Sequence, residues 1–129
     1  MARLQAVFEE NARFTVKCRT HEITIDQPKD NDGDDMGMTP PELLAGSMAS
    51  CIGFYVARYC QQANIDTTDL SVSCDWNVGG TPKHMQSFAI EIHLPALPDN
   101  RRKAIERVAS SCLIHATLAQ QPEVTISLS

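Results

Sequence analysis

The sequence predicts an α+β domain with the element order β-β-β-α-β-β-α-β, two main helices packing against sheets. Three observations predict it. Apolar residues alternate with polar ones in several separate runs, the pattern of half-buried strands. The stretch from Leu43 to Tyr59 is apolar or small at nearly every position, which reads as a helix covered on almost all sides. A later stretch repeats apolar residues at i, i+3, i+4 and i+7. With 129 residues, 43% of them hydrophobic, the chain is long enough for one core and short for two, so residues 1–129 are read as a single domain.

The first strand is expected near Arg3 to Phe8, with a turn at EENA. Phe14, Val16 and Cys18 share one face of the second strand, and Ile23 and Ile25 mark a third, reached through RTH. DQPKDNDGDDMGM has no periodicity and is rich in Asp and Gly, so it is a loop. It is no EF-hand: with Gly33 at the sixth position, Pro28 and Thr39 would stand where acidic ligands are needed. Thr39 then caps the first helix, with prolines at its first two positions and Glu42 completing a capping box. LSVSCDWNV sets Leu70, Val72, Cys74, Trp76 and Val78 on one side of a fourth strand, and FAIEIHL does the same with Phe88, Ile90, Ile92 and Leu94. The second helix starts near Asp99 or Asn100, buries Ile105, Val108, Ala109 and Cys112, and is extended or restarted by LIHATLA. EVTISL is the last strand, with Val124, Ile126 and Leu128 facing inward.

The net charge of −5 and the scatter of Lys and Arg, apart from Arg101, Arg102 and Lys103, speak against a nucleic-acid partner. No apolar run is expected to reach the roughly 18 residues of a membrane span, and the N-terminal stretch lacks a signal peptide's apolar core. A cytoplasmic protein without a membrane partner is expected. Its five cysteines, Cys18, Cys51, Cys60, Cys74 and Cys112, include no C-x-x-C pair, so neither a disulfide framework nor a metal site is expected.

A working thiol needs a partner or a group that favours thiolate. Cys51 and Cys60 are separated by about 13 Å of helix, beyond the roughly 7 Å that a disulfide spans. Cys51 and Cys112 lie on the two main helices, on faces that pack inward, and contact between them is permitted. His115 falls on the same helical face as Cys112 if the helix continues, where it could take the thiol proton or stabilise thiolate; an ordinary half-buried histidine is the other reading. Glu42 is likewise explained by capping alone.

GMTPPELL, the small residues and cysteine of AGSMASC, a β pair, and RRKAIERVASSCLIHATLAQQPEVTISL with a second cysteine 61 residues after the first together resemble the OsmC/Ohr family of thiol peroxidases. The likeness runs from about Phe14 to Leu128. It implies an OsmC-like fold in an intertwined homodimer. It implies that Cys51 attacks a hydroperoxide and that Cys112 resolves the product into a transient disulfide, reduced by an external dithiol with no bound cofactor. Family peroxidases add an arginine from the N-terminal strands, for which Arg13 is preferred over Arg19, and a glutamate ten residues before the first cysteine. Pro41 stands at that position and Glu42 follows it. Leu113 stands where many relatives carry proline. The apolar helix faces favour an organic hydroperoxide over hydrogen peroxide as substrate. The alternative is an OsmC-like ligand-binding or redox-sensing protein without efficient turnover.

Overall fold

The computed structural model describes residues 2–129. Its strands are β1 Gln5–Glu10, β2 Arg13–Cys18, β3 His21–Ile25, β4 Ser71–Gly79 and β5 His84–His93; its helices are α1 Pro40–Gln62, α2 Arg102–Ser110 and α3 Leu113–Ala119. They form two compact units, the first ending at Leu44 and the second running from Ala45 to Ser129.

The first unit is an antiparallel meander in the order β1-β2-β3. Its reversals need the left-handed backbone, which Asn11 and Arg19 adopt at φ 54° and 55°. The register sets Phe8 opposite Phe14, Val16 opposite Ile23 and Cys18 opposite His21, and the rings of Phe8 and Phe14 meet edge to face at 5.5 Å. Leu4, Phe8, Phe14 and Ile23 nevertheless remain exposed.

The loop that follows β3 is closed from within. Asp26 is fully buried, and its carboxylate accepts the backbone N–H of Gln27 at 2.8 Å and of Met36 at 3.1 Å. Asp26 N–H in turn donates to the Met38 carbonyl, and Asp35 N–H to that of Gln27. Gly33 is obligatory here because a Cβ would lie 1.9 Å from the Gln27 carbonyl oxygen. Burial pushes the Asp26 carboxyl upward, but the N–H donors of Gln27, Met36 and Asp34 and the charge of Arg13 hold it below its ordinary value. The capping box forms as the sequence predicts. Glu42 accepts the N–H and hydroxyl of Thr39, each at 2.9 Å, and donates its own N–H to Thr39 Oγ1 at 3.4 Å.

In the second unit β4 and β5 pair antiparallel, with Val72 opposite Ile92, Cys74 opposite Ile90 and Trp76 opposite Phe88. This apolar face packs on a core of Met48, Ile52, Val56 and Cys60 from α1, with Leu94, Ile105 and Cys112. Val78 is a correction: the register shifts between Asn77 and Val78, and Val78 turns outward.

Three further expectations need correcting. Cover on almost all sides of α1 is replaced by one buried stripe, Ala45, Met48, Ile52, Val56 and Cys60, while Leu44 and Phe54 stay exposed. The helix also reaches the length and composition of a membrane span, with an 18-residue window of mean hydropathy 1.2, because its small residues dilute rather than reverse the apolar average. Finally, EVTISL forms no strand: Val124, Ile126 and Leu128 are 76%, 94% and 100% exposed, since the chain offers this segment no strand to pair with.

The clamp at Asp26 is testable. Gly33→Ala should cost about 1–3 kcal/mol of stability through overpacking, and Asp26→Asn should speed limited proteolysis within residues 27–38. Because the folded pKa of Asp26 is depressed, its stabilising effect is complete above the unfolded value of about 3.9 and is lost as pH falls through the folded value. The acid unfolding midpoint should therefore change in Asp26→Asn, with the wild type's advantage vanishing at the lowest pH; an unchanged acid limb would contradict the assignment.

Candidate active site

α2 and α3 are not one helix. The chain leaves the helical path after Ser110, with Cys112 at φ −57° and ψ 134°, and resumes at Leu113. Cys112 is thus fully buried at the entry to α3 rather than on a helical stripe. The first N–H groups of any helix have no partner within it. No side-chain hydrogen bond caps α3, and the N–H groups of Leu113 and Ile114 face Cys51 while those of Ile114 and His115 face Cys112.

Cys51 lies three turns into α1, out of range of that helix's own dipole, and packs half-buried against the core. Burial raises its pKa. The Cys112 thiol and the N–H groups of Ile114 and Leu113 act in the opposite sense, and together they bring it below the ordinary thiol value. Each of these donors is uncharged. Cys112 moves the other way: burial raises it, as does its position as donor to Cys51, against weaker support from the N–H groups of His115 and Ile114. The pair is therefore polarised, with thiolate favoured at Cys51 and thiol at Cys112. Burial raises Cys60, and burial with the nearby Asp75 charge raises Cys74, so both favour the unreactive thiol. All five cysteines are free.

His115 is exposed, and its Nδ1 lies 3.2 Å from the Ser110 carbonyl oxygen. A carbonyl can only accept, so Nδ1 is the donor in this contact. The ring is tied across the break between α2 and α3 while the His115 main chain faces Cys112. It also borders a cavity of about 540 Å³, with Met48 and Ile52 of α1, Phe88 and Ile90 of β5 and Leu118 of α3. This volume and apolar lining suit a small organic ligand.

The structure thus brings together Cys51, Cys112 and His115. Arg13 and Glu42 belong to the first unit and have partners there. Arg13 forms an ion pair with Glu10 beside the β1–β2 turn, and Glu42 is held by Thr39, whose backbone and hydroxyl donors lower its pKa. Arg19 is exposed in the next turn. Sequence reasoning missed the main-chain donors of Leu113 and Ile114. The signal was available: a position that accepts proline is the first of a helix, because that N–H has no intrahelical partner. Leu113, unlike proline, retains its N–H.

Among the described residues no group of three or more His, Cys, Asp or Glu is placed to hold a metal ion.

A half-buried Cys51 beside a buried Cys112 in this α+β arrangement marks the candidate site. The family described as OsmC-like protein matches residues 32–127, and the chain belongs to it. Among solved structures, an osmotic-stress-induced and detoxification-response protein from Psychrobacter arcticus is similar at 22% identity and a TM-score of 0.82, covering 91% of this chain and 88% of that one. An organic hydroperoxide resistance protein OsmC from Legionella pneumophila gives 18% identity and 0.70, covering 92% and 88%. The organic hydroperoxide resistance protein OhrB of Bacillus subtilis gives 14% and 0.67, covering 94% and 92%. No curated protein matches the chain significantly.

The polarisation predicts the pH dependence of alkylation. Cys51 should be modified with a midpoint below that of a free thiol, and Leu113→Pro, which deletes one N–H at a helix position that tolerates proline, should raise the midpoint. Cys112→Ala should raise it as well, with Cys112→Ser partly restoring it through its hydroxyl. Peptide-resolved iodoacetamide labelling across pH measures all three, and midpoints unmoved by Leu113→Pro would remove the backbone from the account.

Proposed function

We propose that the protein is a thiol-dependent peroxidase that reduces organic hydroperoxides through Cys51 and Cys112. The observation that carries the reading is the juxtaposition of Cys51 and Cys112 at the start of α3, where uncharged donors lower the pKa of Cys51 and burial raises that of Cys112. Cys51 thiolate attacks the distal peroxide oxygen. The O–O bond breaks, the alkoxide takes a proton and leaves as alcohol, and Cys51 becomes a sulfenic acid. The Cys112 sulfur then attacks Cys51 Sγ; the S–O bond breaks, the hydroxyl leaves with the Cys112 proton as water, and a disulfide remains. An external dithiol restores both thiols.

The main-chain donors supply part of the thiolate stabilisation, and Arg13, or Arg19, would add charge in the assembled protein. Glu42 would hold that arginine, while its bond to Thr39 fixes the helix start. His115 would serve as proton carrier through Nε2. The cavity beside Met48 and Ile52 favours a substrate with an apolar body. No bound cofactor is called for, because sulfur and the external dithiol carry both electrons. The five free thiols accord with a reducing cytoplasm.

The working unit we propose is a homodimer. Leu4, Phe8, Phe14 and Ile23 on the meander, Phe54 on α1 and the alternating Val124, Ile126 and Leu128 are all exposed in the single chain, an apolar surface that invites a partner. The C-terminal segment, with the pattern of a strand and no strand beside it, is suited to exchange between copies.

Two experiments test these readings. Reduced protein given one equivalent of cumene hydroperoxide should lose two thiols within seconds and yield the Cys51–Cys112 peptide pair, more slowly with hydrogen peroxide. Cys51→Ser should fall to the uncatalysed background; survival of all five thiols would sink the peroxidase reading. Sedimentation should show a dimer for the full chain and mainly monomer for Ile126→Lys, whereas a monomeric wild type would exclude the exchange.

A further inference from the structure

The two sulfurs differ in access as well as in acidity. Cys112 is fully buried, whereas Cys51 is only half-buried. Thiol–disulfide exchange requires the incoming thiolate to reach one sulfur in line with the S–S bond and to expel the other. An approach to Cys112 would have to pass through the packed core that includes Val56, Ile105 and Cys60. An approach to Cys51 comes from the more open side. The sulfur then expelled is Cys112, the poorer leaving group because burial raises its pKa against the weaker support of the His115 and Ile114 N–H groups. Access and not leaving-group acidity therefore sets the direction of attack.

We propose that the reductant attacks Cys51 and never Cys112, so that the covalent intermediate of the reductive half-reaction is a mixed disulfide on Cys51 with Cys112 released beside it. This rests on the peroxidase reading for its place in a cycle. A reductant thiolate bonds to Cys51 Sγ, the Cys51–Cys112 bond breaks, and Cys112 leaves as thiolate and takes a proton from solvent. The second thiolate of the same reductant then attacks the reductant's own sulfur in the mixed disulfide. A cyclic disulfide is formed, Cys51 departs as thiolate, and the two electrons have come from the dithiol.

On this proposal the reductant needs two thiols in one molecule. The released Cys112 remains next to the mixed disulfide and can attack Cys51 again, expelling the reductant and regenerating the protein disulfide. A monothiol has no tethered group with which to outrun that return. A dithiol does, and the cycle closes.

The test starts from protein oxidised with diamide to the Cys51–Cys112 disulfide, so that it stands apart from any failure with peroxide. The disulfide is mixed with excess 2-mercaptoethanol, quenched in acid within seconds, denatured, alkylated at the freed thiols and mapped by peptide mass. The expected result is 2-mercaptoethanol on the Cys51 peptide and alkyl label on Cys112. Cys112→Ser carrying the same adduct on Cys51 should, after the free thiol is removed, retain it at least about tenfold longer than wild type, because the thiol that would expel it is gone. An adduct on the Cys112 peptide with label on Cys51 overturns the proposal, and so does adduct decay as fast in Cys112→Ser as in wild type. If the variant does not fold, the wild-type map alone decides. A diamide disulfide that forms when peroxide makes none would overturn the peroxidase reading and leave the order of attack standing or falling on the map.

Discussion

Bringing two cysteine sulfurs together at the edge of an apolar core, and meeting one of them with hydrogen-bond donors, is the constraint on which the second unit is built. A buried thiolate must be met by donors, and a cysteine in the middle of a long helix has none from its own backbone, whose N–H groups are consumed by the helix. The chain answers by breaking another helix. The departure at Ser111 and Cys112 frees the first N–H groups of α3 and points them at Cys51, and it buries Cys112 as the thiol donor in the same stroke. Had α2 run on through Leu113, its amides would have been spent internally.

Much of this was legible in the residues. Period-two rows in β2, β4 and β5 and the Thr39 to Glu42 box are local signals, decided by neighbours a few positions apart, and the structure reproduces them. The family likeness drew attention to Cys51 and Cys112 because their settings, not their spacing, carry information. The misses have a common cause. Val78, the outer face of α1 and EVTISL depend on what lies across from them, and a sequence records only that a residue is apolar, not which surface will cover it. The break before Leu113 was missed differently, since Ile105, Val108, Ala109 and Cys112 satisfy a helical period whether or not the helix is continuous.

The two units divide the chemistry unequally. Polarisation of the thiol pair is complete within the second unit, from groups that carry no charge. The arginine and glutamate that the family likeness singles out sit in the first, where each has a local partner: Glu10 for Arg13 and Thr39 for Glu42. The lowered pKa of Cys51 thus rests on groups of α1 and α3 alone.

The clamp at Asp26 reaches beyond the loop it closes. Asp30, Asp32, Asp34 and Asp35 are exposed on that loop, and a segment of such composition would ordinarily spread its charge over a cloud of conformations. Tied from inside through Met36, Gln27 and Gly33, the backbone that carries the four carboxylates is held in place, which confines their charge to one edge. Charges so confined make a field with a direction, which draws cations toward that edge and turns anions from it, over a range of about 8 Å at physiological ionic strength. One hidden carboxylate therefore gives orientation to four visible ones, and salt concentration becomes a control on which molecules approach the protein from that side.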